Sequence, residues 1–231
     1  MPKPHVICHM MSTIDGRIIS SNWGDEEIIN TYAGFFEKYH ETFDSNAWIC
    51  GRITMERDFS KGEKPVLQKP AQSIERKAFI GDKEATSFAI AVDPHGKLGW
   101  KENKTYGDHI IEVLTEQVSD DYLYYLQQKR ISYLFAGTTT IDFHSVLEQL
   151  TELFPIKTLM LEGGGHLNGS LMNEGLVDEL SLLLLPIVDG TAKAPTTFEV
   201  SEYLQKNPAT VLKLQDVTKL DHDVLWLKYR R

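Results

Sequence analysis

Residues 157–180, KTLMLEGGGHLNGSLMNEGLVDEL, set a short apolar run against three consecutive glycines and then a segment with helical spacing. Thr158 to Leu161 reads as a buried strand. Leu167, Leu171, Met172, Leu176 and Val177 recur as one face of a helix. Each of Gly163, Gly164 and Gly165 costs conformational entropy, so a chain keeps them where the backbone must reach positive φ or approach something closely. A helix that starts behind such a turn also presents unpaired N–H groups and a partial positive charge. The spacing leaves two readings open, a loop that holds an anion and a tight corner. Either way it demands a strand, a sharp turn and a helix in succession.

The same grammar recurs along the chain. Strand-like runs at residues 5–11, 47–50, 88–92, 110–114, 131–136 and 180–188 alternate with helical patterns at 25–43, 122–129 and 143–153. Ser119 and Asp142 stand where helix N-caps belong, and Pro155 closes the last of these helices. The tail, 210–231, carries two strand-like runs around Asp221-His222-Asp223 and reads as an antiparallel hairpin. This alternation predicts an α/β protein, with a mainly parallel sheet flanked by helices and an antiparallel C-terminal hairpin. The run SLLLLPIV, 181–188, is apolar on both faces and suits a central strand or one near a dimer seam. No repeat or linker divides the chain, which predicts one domain over 1–231. Residues 57–86 have no period and hold Pro65 and Pro70, as expected of a surface excursion, a lid or an arm toward a second subunit.

Composition narrows the function. A formal net charge of −9 argues against affinity won by neutralising nucleic-acid phosphates or an acidic membrane. The two cysteines, Cys8 and Cys50, lie inside apolar runs and read as buried strand thiols. The N-terminus lacks an apolar signal region and no run reaches membrane-spanning length, so a cytoplasmic protein is the expectation. His5, Cys8 and His9 do not make a metal site, because Cys8 faces opposite to His9 and no remote ligand pair is evident.

Several expected strand ends carry chemistry. At WICGRITMERDF, 48–59, a strand ends at Gly51 and a helix opens near Thr54, with Arg52 at the junction; a guanidinium beside a helix start suits a phosphate, and a surface arginine with an ordinary capping threonine is the alternative. At HMMSTIDGRI, 9–18, Asp15-Gly16 is a turn signal, or places a carboxylate at a pocket mouth. At AIAVDPHGKLGW, 89–100, a strand ends on Asp93-Pro94. Glu162 ends the strand before the glycines. In parallel sheets, ligands bind at the carboxyl ends of strands. The glycine stretch is not the dinucleotide fingerprint, because the sixth position counted from Gly163 is Asn168 and Gly169 falls one late; it also lacks the lysine of a P-loop.

Taken in order, MSTIDGRI, CGRITME, AVDPHGKL and LMLEGGGHLNGSLMNEGLVDELSLLLLPIVDG resemble the C-terminal reductase domain of the bacterial bifunctional riboflavin biosynthesis deaminase-reductase, which has a dihydrofolate reductase-like three-layer fold. The resemblance spans nearly the whole chain, with 57–86 matched least. No zinc-binding deaminase pattern precedes it, so a stand-alone reductase is expected. The resemblance implies NADPH as cofactor. Gly51, Arg52 and Thr54 would then hold cofactor phosphates, Arg52 near the 2′-phosphate, with Asp93 and Pro94 toward the adenosine. Gly163, Gly164 and Gly165 would let the backbone meet the pyrophosphate and nicotinamide. Glu162 and Asp15 would border the substrate as catalytic groups, one of them raised in pKa by burial, with Thr13 and Trp23 lining the same place; a plain core role for Trp23 is the alternative. His9 stands where the riboflavin enzymes carry a substrate-binding lysine, and an imidazole does not supply the same fixed charge. The implied substrate is 5-amino-6-(5-phosphoribosylamino)uracil or a related pyrimidine, and the implied assembly a homodimer. A non-catalytic nucleotide-binding module on the same fold and a true dihydrofolate reductase are the rival readings.

Overall fold

The computed structural model describes residues 3–200 and 207–231. The chain divides into two compact units, one of residues 46–159 and one built from 5–45 together with 160–231. Both units lie within the stretch that the sequence leads one to expect as one domain. No linker marks them, because the second unit is assembled from both ends of the chain.

Strand β1 (His5–Thr13) opens the second unit, and helix α1 (Glu26–His40) follows it, capped by Asp25, whose carboxylate accepts the Ile28 N–H at 3.1 Å. The first unit then begins with β2 (Ala47–Gly51) and a short helical turn, α2 (Arg52–Thr54), continued by a π-turn over Met55–Phe59. Next come β3 (Phe88–Val92), β4 (Lys104–Thr105), β5 (Asp108–Leu114), α3 (Asp120–Gln128), β6 (Ser132–Phe135) and α4 (Phe143–Leu153). Ser119 and Asp142 cap α3 and α4 as expected, accepting from Tyr122 N–H and Ser145 N–H. Strand β7 (Thr158–Leu161) lies where the chain passes from one unit to the other. The second unit resumes with α5 (Gly165–Asn173), β8 (Glu179–Leu185), β9 (Lys213–Lys219) and β10 (Leu225–Arg230).

In the first unit β3 lies between β2 and β5, parallel to both, and β6 runs parallel beside β5. Strand β4, absent from the sequence reading, is two residues long and turns back on β5 at Tyr106-Gly107, both with positive φ. In the second unit β8 runs parallel to β1 on one side and antiparallel to β10 on the other, and β10 pairs with β9. The α/β class and the antiparallel C-terminal hairpin are thus as expected. The doubly apolar run at 181–188 is explained by a strand with neighbours on both edges, and its Leu183 and Leu185 pack with Trp23, Tyr32, Val224 and Trp226.

The 57–86 excursion lies on the first unit. The Arg76 guanidinium donates to the carbonyls of Ile74, Val118 and Glu116 and pairs with Asp120. Phe79 bridges Tyr133 through reciprocal backbone bonds of 2.9 and 3.0 Å. One arginine with four acceptors fixes a segment that, after the π-turn ending at Phe59, forms no helix or strand beyond the Phe79 bridge.

Candidate functional site

In the first unit, Gly51 and Val92 are register partners, so the residues that follow them, Arg52 and Asp93, leave neighbouring strands at the same carboxyl end. The Arg52 guanidinium pairs with Glu56 at 2.6 Å, and Lys64 pairs with the other oxygen of Glu56 at 2.5 Å. Two cations share one carboxylate, which leaves a local positive excess. Thr54 makes no cap bond; the residue before α2 is Gly51, which has no side chain to offer. Asp93 is fully buried. Its Oδ2 accepts the N–H groups of Lys97 and Leu98 and so closes the turn after β3, while its Oδ1 is buried with no hydrogen-bond partner among the described residues. Burial raises the Asp93 carboxyl, opposed by those two N–H groups and by the Arg52 charge.

Behind Asp93 lies an unforeseen group, Glu112 of β5, also fully buried. Burial, and then the Asp93 charge, push its carboxyl well above the ordinary range. Trp100 Nε1–H donates to Oε1 at 2.5 Å. The Tyr122 hydroxyl lies 2.9 and 3.0 Å from the two Glu112 carboxyl oxygens and 2.7 Å from the Leu98 carbonyl. A glutamate on a β-strand gives no sign in the sequence that it will be proton-bearing.

In the second unit, Asp15 is exposed and joins two loops. It accepts from Thr13 Oγ1–H at 2.6 Å and from the N–H groups of Asp189 at 3.1 Å and Gly190 at 2.9 Å. These donors, the Thr13 hydroxyl first, lower its pKa to about 2. The expectation that burial would raise Asp15 into a proton donor is corrected: it is a fixed anion. Thr13, buried beside it, also accepts the Arg17 N–H at 2.9 Å.

His9 is corrected as a substrate contact. Its ring is fully buried and stacked on Phe36, with centroids 4.4 Å apart. Nε2–H donates to the Phe36 carbonyl at 3.0 Å, so Nδ1 accepts from the Ser181 hydroxyl at 2.9 Å. Ser181 Oγ in turn accepts from Trp226 Nε1–H at 2.8 Å. Burial, the largest influence, lowers the ring to about 4, so it is neutral at physiological pH. Trp23 takes the core role weighed for it, since its ring packs among Leu183, Leu185 and Trp226; its Nε1–H has no acceptor among the described residues.

The glycine turn has mixed causes. Gly163 has φ +113°, a conformation that a side chain strains to adopt. A Cβ on Gly165 would lie 2.2 Å from the Thr196 carbonyl oxygen, so this glycine admits the chain's own 194–199 segment rather than a ligand. Gly164, half-exposed, is the N-cap of α5 and gives it no side-chain cap. The contrast with α1, α3 and α4 is chemical: each of those has an Asp or Ser oxygen on its first turn. Helix α5 is entered by glycines, so its first-turn N–H groups meet no capping oxygen from their own N-cap.

Glu162 stands immediately before this turn with its side chain 10% exposed, and His40, the last residue of α1, reaches it with Nδ1 at 2.5 Å from Oε1. A lone histidine at a helix end gave no sequence signal of that pairing.

The RibD C-terminal domain family matches residues 4–226. The chain belongs to that family. Among curated relatives, 2,5-diamino-6-ribosylamino-4(3H)-pyrimidinone 5′-phosphate reductase of Methanothermobacter thermautotrophicus is 35% identical over 98 residues, 42% of this chain and 45% of that protein. The protein of the same name from Aquifex aeolicus is 30% identical over 82 residues, 36% of each. The matched stretches thus span less than half the length of these relatives. Among solved structures, Acinetobacter baumannii RibD is similar at TM-score 0.66 and 20% identity, covering 99% of this chain and 58% of that one. The Saccharomyces riboflavin biosynthesis reductase Rib7 is similar at TM-score 0.59 and 15% identity, covering 99% and 90%. These likenesses show the RibD reductase fold. A nicotinamide cofactor goes with this family. Within the first unit an arginine and a lysine share one glutamate, and within the second a glycine-entered helix starts without a side-chain cap; each by itself suits an anion. No helix among the described residues is long and apolar enough to cross a membrane, and none of their His, Cys, Asp and Glu side chains group in a way that could hold a metal ion.

Proposed function

We propose that this chain is a pyrimidine reductase of riboflavin biosynthesis, acting on 5-amino-6-(5-phosphoribosylamino)uracil or its 2,5-diamino pyrimidinone counterpart. The observation that carries the reading is the start of α5: Gly164 leaves its first turn without a side-chain cap, directly after the partly buried Glu162. Backbone donors for an anion and a carboxylate for proton handling therefore sit within three residues of each other. A bound reduced nicotinamide supplies the hydride to a C=N or C=O carbon of the substrate.

The chain's own residues do the rest. Gly164 and the first turn of α5 receive a phosphate. In the first unit, taken by itself, Gly51 and Arg52 suit a cofactor phosphate, and Arg52 favours NADPH over NADH, because a guanidinium pairs with the extra phosphate in a fork geometry. Glu162 orders the water or substrate atom that takes up a proton as charge builds on the reduced group. Asp15, anionic down to about pH 2, positions rather than donates. A homodimer in the cytoplasm belongs to the same reading, and light scattering of the purified chain tests the assembly.

The deciding experiment follows loss of reduced-nicotinamide absorbance with the pyrimidine substrate and, separately, with dihydrofolate. Turnover of the pyrimidine with NADPH supports the proposal. Thermal stabilisation by NADPH without turnover of either substrate favours a nucleotide-binding module instead. One observation leans that way: buried His9 places no cation where the riboflavin enzymes have a lysine.

A further inference from the structure

His40 is the group that the mechanism has not used. It ends α1, where the exposed carbonyls of the last turn favour a cation. Its Nδ1 lies 2.5 Å from Glu162 Oε1, with the imidazole 28% exposed and the carboxylate 10% exposed. The elements packed around the pair hold its other neighbours in fixed states. From β1, His9 lies with its ring centroid 6.4 Å from that of His40 and is kept neutral by burial. Cys8, also on β1, is fully buried and holds its proton, pushed up by burial and by the Glu162 charge. On α1 itself, Glu37 and Lys38 flank the last turn with opposite charges. Within the usual range of histidine ionisation, about pH 6.5, neither β1 group facing the pair changes charge.

We infer that His40 is the positioning residue of Glu162: its Nδ1–H holds the carboxylate in one orientation, and its protonation sets the charge beside the reacting group. The inference rests on the reductase reading, because only there does the orientation of Glu162 enter a rate. A neutral imidazole with Nδ1–H still orients the carboxylate but no longer balances its charge. Turnover therefore follows the imidazole as well as the substrate.

The test compares wild type, His40→Asn and His40→Ala across pH 5–9 or thereabouts. Asparagine places an amide donor near the position of Nδ1 but never ionises. With His40→Asn, kcat is expected to stay within about threefold of wild type at the plateau, while the histidine limb of the pH profile disappears. With His40→Ala, kcat should fall about 100-fold, with the KM for cofactor changed less than about twofold. Profiles of wild type and His40→Asn that superimpose overturn the inference, as does an alanine variant with unchanged kcat.

A second readout needs no activity. The ring 15N shifts of His40 are titrated in wild type and in Glu162→Gln. Loss of the carboxylate should move the His40 titration to lower pH; coincident curves overturn the pairing itself. Inactive wild type with separated titration curves would instead overturn the reductase reading, and with it the positioning role, while leaving the pairing in place.

Discussion

Ser181 Oγ lies 2.9 Å from His9 Nδ1 and receives the indole N–H of Trp226 at 2.8 Å, so one hydroxyl joins three strands through side chains alone. Strand β8 supplies the serine, β1 the histidine and β10 the tryptophan. The chain of bonds ends on the Phe36 carbonyl of α1. Every donor is used only if the imidazole is neutral with its proton on Nε2, and burial enforces that state.

That arrangement makes stability depend on pH. His9 ionises at about 4 in the fold, against about 6.5 in an unfolded chain. Between those values the unfolded chain binds more protons, so stability rises with pH. The contribution is complete above about pH 6.5 and lost as pH falls toward 4, and amounts to about 3 kcal/mol. Urea denaturation at several pH values should show a shallower acid slope for His9→Asn than for wild type. Parallel slopes would contradict the neutral, buried ring.

Glu112 has the opposite sign. Its folded pKa is raised, so its contribution is present below the unfolded value of about 4.5 and is lost as pH rises through the folded value. Glu112→Gln keeps an acceptor for Trp100 and a donor for Tyr122 without an ionisable proton. It is expected to be more stable than wild type at pH 8 and little changed at pH 4. Thermal melts at both values check this, and a loss at pH 8 would mean that the carboxyl is charged in the fold.

Gly165→Ala drives a methyl group to 2.2 Å from the Thr196 carbonyl oxygen, a backbone atom that cannot rotate away. A cost of about 2 kcal/mol or more is expected. The 194–199 segment should also loosen, since the Glu199 N–H donates to the Gly165 carbonyl at 2.9 Å. Faster amide exchange at Glu199 in the variant, measured beside the melt, reports that loosening; unchanged exchange counts against the close approach.

Arg52→Gln tests the cofactor assignment. Loss of one charge-assisted phosphate contact should raise the KM for NADPH about ten- to hundredfold and leave that for NADH nearly unchanged. Equal effects on both cofactors would place Arg52 elsewhere than at the additional phosphate.

Glu162→Gln removes the acid–base capacity but keeps shape and hydrogen bonding. Turnover should fall about 100-fold or more, with cofactor affinity measured by calorimetry within about twofold of wild type. Losses of similar size in both quantities would make Glu162 a binding group only.

The alternation of strand and helix, the caps at Ser119 and Asp142 and the closing hairpin were legible because each depends on local residue order. The family was legible for the same reason: EGGG, the asparagine–glycine pair and GLVDEL stand in fixed register along the chain. The fates of individual site residues were not. His9 and Asp15 sit six positions apart near the same strand, yet one ring is buried and neutral while the other carboxylate is exposed and anionic. Nothing in HMMSTID distinguishes them, because the Ser181 hydroxyl and the Gly190 N–H arrive from more than 170 positions away.

By itself, the sequence determined all the strands but the two-residue β4, where the capped helices begin and which loops hold glycines, since backbone preference and hydrophobic period are properties of neighbours. Tertiary structure decided which carboxyl groups carry a proton, which glycine faces its own chain and which histidine meets Glu162. Those outcomes depend on desolvation and on partners distant in sequence, and burial is a property that a residue acquires only when the rest of the chain closes around it.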